Sequence, residues 1–107
     1  HESMVALAAA GDTEAYSDAN VAFHSAIYAG AHNAPLADYA MNLRRRVGPY
    51  RRAQFRVDGR LLRSNQEHDT VVRTIVSGDA AGAHAAMIHH VSLVEDAFEA
   101  FAAINAA

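Results

Sequence analysis

Apolar residues in this chain recur three and four positions apart, and no stretch alternates as a strand would. Residues 2–10 read as the end of a helix closed by Gly11. Asp12 or Thr13 can cap a second helix that runs to about Ala31. GAHNAP is a turn in which Asn33 caps a third helix and Pro35 occupies its first turn. That helix reaches about Arg56, and Gly48-Pro49 should kink or briefly break it. VDGR makes the next loop. Ser64 and Glu67, in SNQE, form a capping box that starts a fourth helix at Asn65. Gly78 ends it, and Asp79 caps a last helix over about 80–104. The pattern predicts an all-α, antiparallel bundle of about five helices with short loops.

One position breaks the polar-out, apolar-in logic. In AMIHHV, His90 shares a face with Ala86, Met87, Leu93, Val94, Ala97 and Phe101, so an imidazole sits at the centre of the stripe to be buried. Burial costs free energy unless the ring nitrogens find partners. His68 repeats the anomaly on the face of Val72 and Ile75, and His24 does so beside Phe23 and Ile27. Asn20, one turn before His24, can reach the same point. A single inward histidine is ordinarily hydrogen-bonded structure. Three on three helices suit a divalent first-row metal, with zinc first and nickel or manganese as alternatives. His1, His32, His84 and His89 fall on surface or flanking positions.

Composition narrows the chemistry. At 107 residues, 51% hydrophobic and 20% charged, the chain is one globular domain. It has no cysteine, which removes disulfides, thiolate metal sites and cysteine nucleophiles. No run reaches the roughly 18–20 apolar residues of a membrane span. MVALAAAG lacks the basic region and length of a signal peptide, so a cytoplasmic protein is the default. A net charge of −3 argues against a direct grip on nucleic acid. All nine basic residues are arginine, and eight lie between Arg44 and Arg63; a solvated helix face is the ordinary account of such a cluster. There is no Glu-x-x-His pair, HExxH, phosphate loop or GxSxG turn, and no enzyme is expected. Two alternatives stand beside a sensing domain: a metal-dependent lyase or hydrolase, and a bundle whose histidines are merely structural.

NVAFHSAIYAGAHNAPL followed by RLLRSNQEHDTVVRTIVSGDAAGAHAAMIHHV resembles the FadR C-terminal (FCD) domain of GntR-family bacterial transcription regulators. The matching pieces are Asn20–His24, Asn33–Leu36, His68 to Asp79 and Met87 to His90, in order and across essentially the whole chain. The resemblance implies an effector-binding and dimerisation domain. In that family an Asp and three His hold a divalent metal on a cavity floor, and a small organic acid binds nearby. By position, the ligands here would be Asn20, His24, His68 and His90. Asn20 replaces the usual Asp. A neutral amide weakens the metal site and leaves it one positive charge richer, which favours an anionic effector. In the limit, Asn20 and the imidazoles would hydrogen-bond the ligand with no metal. The resemblance also implies a homodimer, and a winged-helix DNA-binding domain and a leading helix that this chain lacks.

The third helix supplies the expected cavity wall. Leu36, Ala40, Leu43, Val47 and Tyr50 mark its inward stripe. At about 100° per residue, Arg51 lies roughly 40° and Arg44 roughly 60° from the stripe centre, while Arg45 and Arg52 point away. Arg51, then Arg44, are therefore the expected carboxylate clamps, since a guanidinium offers a bidentate fork, and Tyr50 is an expected pocket wall.

Overall fold

The computed structural model describes residues 1–106, apart from the side chains of Tyr50, Phe98, Ala100, Phe101 and 104–106. Five α-helices follow one another: α1 (Glu2–Ala10), α2 (Thr13–Gly30), α3 (Ala34–Ala53), α4 (Arg60–Val76) and α5 (Ala80–Ala106). A 3-10 turn, Gln54–Arg56, joins α3 to α4. Helix α4 lies along α5, α2 packs against α1 and α3, and α1 also meets α4. The all-α bundle expected from the periodicity is the fold.

Most boundaries follow from short-range chemistry. Gly11 takes the left-handed conformation that closes α1, at φ 69°. The Asp12 carboxylate accepts from Ala15 N, Asn33 from Leu36 N, and Asp79 from Gly82 N, which caps α2, α3 and α5. Pro49 does not break α3, which runs on to Ala53 before tightening into the 3-10 turn.

Two expectations fail. The first is the start of α4, which begins at Arg60 rather than Asn65. Gly59, at φ 76°, turns the chain into the helix, and Ser64 and Glu67 lie inside it. Neither caps anything. The Ser64 hydroxyl accepts from the Tyr16 hydroxyl at 2.9 Å, and the Glu67 carboxylate serves Arg60 and His90. The buried face of α4 is accordingly Leu61, Ser64, His68 and Val71, not the Val72 and Ile75 side.

The second is the inward face of α3. Leu36 and Leu43 are 56% and 49% exposed, so the stripe through them is not the packed one. The packed face is turned by about one residue and runs through Met41, Arg44, Gly48 and Arg51, with Met41 Sδ 3.2 Å from the Ser25 hydroxyl of α2. The apolar core lies at the other side of α2, where Met4, Ala8, Tyr16, Phe55 and Leu61 pack together and Leu7, Ala19 and Phe23 cover them. Tyr16 meets Phe55 edge-on at 5.1 Å.

Candidate metal and anion site

Three helices each bring one imidazole to a single buried point. His24 comes from α2, His68 from α4 and His90 from α5, and one nitrogen from each lies within 4.8 Å of the others. His68 Nε2 and His90 Nε2 are 3.2 Å apart. Tetrahedral nitrogen ligands about 2.0–2.1 Å from a shared zinc stand roughly 3.3 Å from each other, so this pair already has the right separation. The rings are wedged from behind. Phe23 stacks on His68 with centroids 4.1 Å apart, and His24 stacks on His90 at 5.4 Å.

His90 is aimed by a carboxylate. Its Nδ1 donates to Glu67 Oε1 at 2.6 Å; because an ionised carboxylate only accepts, the proton belongs on Nδ1 and a neutral ring turns its Nε2 lone pair to the cluster. Glu67 is held in turn by both terminal nitrogens of Arg60, at 2.7 and 2.9 Å, and Arg60 Nε donates to Gln54 Oε1 at 2.7 Å. Burial acts to raise the Glu67 carboxyl, but the hydrogen bonds from His90 and Arg60 overcome it and hold the group at about 2. This Gln54–Arg60–Glu67–His90 chain was missed in the sequence. Its one trace was the Arg60-to-Glu67 spacing of two helical turns, hidden once α4 was started at Asn65.

Burial, then the neighbouring charges of Arg44 and the other imidazoles, pushes His24 far below the ordinary histidine value. Burial foremost brings His68 down to about 3. Both rings are therefore neutral and available as donors of lone pairs at physiological pH. Asn20 is buried one turn before His24, and its Oδ1 has no hydrogen-bond partner. Both nitrogens of His24 and Nδ1 of His68 are likewise unpartnered. Buried acceptors are rarely left so. Asn20, His24 and His68 thus carry unpartnered buried atoms and His90 turns its Nε2 to the same point, a neutral N and O donor set that fits a borderline divalent cation, so the residues present suit a metal.

A cavity of about 170 Å³ opens between α2 and α3, with Asn20 on its wall. Arg44 and Arg51 line it, as the sequence suggested, and so do Arg45 and Arg52, which were expected to point away. The turned face of α3 explains the difference. Burial first, then the charge of Arg44, lowers Arg51 to about 10, and its Nε and one terminal nitrogen are buried without partners. The side chain of Tyr50, the remaining effector candidate, lies outside the described residues. Of the histidines set aside, His32, His84 and His89 are exposed, whereas His1 is half-buried against Phe23 and Asp69.

Among the described residues, no helix is long and apolar enough to cross a membrane. Neither the curated proteins nor the solved structures contain a match to the chain. A protein-family model does match: that of the FCD domain, over residues 1–93, which takes in α1 to α4 and the half of α5 that carries His90. Helical architecture, the inward histidines and that match agree, and the chain belongs to the FCD domain family, the effector-binding regulatory domains of GntR-type regulators.

Proposed function

We propose that this domain senses a small organic acid bound by Arg51 and Arg44 beside a divalent cation, zinc first, held by His24, His68, His90 and Asn20. The observation that carries the reading is the sorting of orphaned polar atoms. The unpartnered Asn20 Oδ1 and His24 nitrogens, beside the facing Nε2 atoms of His68 and His90, call for a cation, and the unpartnered N–H groups of Arg51 call for an anion. Asn20 and Arg51 line one cavity, and the charges of Arg44 and Arg51 reach His24 one turn beyond Asn20. A bound cation would supply a positive floor that anchors the acid.

Sensing requires two packings of the bundle with different affinities for the ligand. The ligand would bridge α2 and α3 through Asn20, Arg44 and Arg51, and the cation would tie α2 to α4 and α5. In this reading the domain works as a cytoplasmic homodimer, and the change in packing alters how an attached winged-helix domain, outside these residues, meets DNA. A hydrolytic reading is disfavoured by Glu67. It is the carboxylate bonded to the histidine cluster, and its oxygens are taken up by Arg60 and His90, leaving it poorly placed as a base.

The test is metal content by elemental mass spectrometry on protein purified without chelators, with the His68→Ala/His90→Ala double variant in parallel. About one equivalent of metal, lost in the variant, is expected, together with a rise in Tm on adding small carboxylates. No metal and no Tm shift with any acid would overturn the reading.

A further inference from the structure

We propose that the effector is a small dianion, two carboxylates on a short linker, gripped at one end by Arg51 and at the other by Arg44. This rests on the effector-binding reading above and names the ligand class. It starts from a charge imbalance. Four arginines, Arg44, Arg45, Arg51 and Arg52, line a single cavity against one carboxylate, Asp18, in a chain whose net charge is −3. None of these four makes an ion pair among the described residues, whereas Arg60 and Arg73 are paired with Glu67 and Asp69. The candidate metal ligands are three imidazoles and an amide, so a divalent cation there would add positive charge with nothing in its ligand set to offset it. A single carboxylate leaves most of that field uncompensated, and a second one on the same molecule lowers it further.

The layout suits two anionic ends. Arg44 and Arg51 lie seven residues apart on α3, two turns or roughly 10 Å along the axis on one face, and both line the cavity, so two separate guanidinium groups are available to one ligand. Gly48 sits midway. A Cβ there would come 3.3 Å from a terminal nitrogen of Arg52, so the small residue lets the Arg52 guanidinium lie close over α3 at the cavity. A cavity of about 170 Å³ has room for a short-chain diacid. Phosphate carries similar charge on one centre, without a second anionic end.

The experiment is calorimetric titration of the chain, with and without added zinc. The probes are malonate, succinate and glutarate, each against the monoacid of equal carbon number (propionate, butyrate, valerate), and inorganic phosphate. The best diacid is expected to bind at least about tenfold more tightly than its monoacid in both zinc conditions, the worth of one further charge-assisted contact. Arg44→Gln should erase that preference while holding Tm, since Arg44 is half-buried and has no partner to lose. Arg51→Lys should weaken both classes of acid. Equal affinity for mono- and diacids would overturn the dianion and leave the effector reading standing. Phosphate matching the best diacid would overturn the two-ended clamp in favour of simple charge attraction. No binding by any acid would remove the effector reading and this inference together.

Discussion

Glu67 Oε1 lies 2.6 Å from His90 Nδ1, and that one hydrogen bond joins the polar interior of α4 to the histidine cluster. It settles which nitrogen of His90 carries the proton and which way the ring faces. Partners of this kind commonly set metal affinity by one to two orders of magnitude. Glu67→Gln should therefore weaken zinc binding roughly 10–100-fold in a chelator competition. The same change strips Arg60, 2% exposed, of its charge partner, so the metal-free protein should also lose stability, by about 3 kcal/mol. Adding Arg60→Met removes the stranded charge. The double variant should regain part of the lost Tm but none of the zinc affinity, and recovery of both would mean Glu67 acts only through the fold.

Asn20→Asp should tighten divalent-metal binding, because a carboxylate replaces a neutral amide oxygen on a buried residue whose Oδ1 has no other partner. The cost is a buried charge in the metal-free state, so Tm without metal should fall and Tm with zinc should rise. Isothermal titration with zinc and a pair of melting curves would check both. An unchanged affinity would remove Asn20 from the ligand set.

His68 is buried as expected, but on the face of Leu61, Ser64 and Val71 and not on that of Val72 and Ile75. His24 and His90 were legible because helical periodicity projects side chains within one element. The caps at Asp12, Asn33 and Asp79 were legible for the same reason, since each bonds an amide three residues on. Errors arose where distant partners decide. Ser64 and Glu67 match a capping box locally, but Tyr16, 48 residues away, takes the hydroxyl, and His90, 23 residues away, takes the carboxylate. On α3 the apolar positions Leu36 and Leu43 pointed to the wrong face, because the packed side of that helix carries arginine and glycine around a polar cavity. Hydrophobicity marks the inward side of a helix only where the neighbour it packs on is apolar.

Stability of the metal-free protein should depend on pH through the neutral imidazoles. His68 drops from an ordinary 6.5 to about 3 on folding, and His24 shifts in the same direction. Between those values the unfolded chain binds protons that the folded one refuses, so stability is fully present above pH 6.5 and is lost as pH falls. The slope is up to about 1.4 kcal/mol per pH unit for each such ring. Glu67, held at about 2 against an ordinary 4.5, adds a second loss below pH 4.5 with the same sign. Urea midpoints at constant ionic strength should thus be level above pH 7 and fall from about 6.5 downward. A midpoint that held flat to pH 5 would mean these rings are solvated in the folded protein.

His24 separates a functional cluster from a structural one. It is 1% exposed and neither ring nitrogen has a partner, so in the absence of metal it contributes an unsatisfied polar group to the interior. Phe23 and His68 border it, the former edge-on at 5.3 Å, and a leucine, close to histidine in volume, brings no polar atom to strand. His24→Leu should leave metal-free stability unchanged or raise it by about 1–2 kcal/mol, the cost of a buried polar group without a hydrogen bond. The same variant should bind zinc far more weakly and show no Tm rise when zinc is added. A histidine kept purely for packing would behave in the opposite way: its replacement would cost stability whether or not metal was present, and added zinc would shift wild type and variant alike. Denaturant titrations of both proteins, each with zinc and with chelator, distinguish the two outcomes.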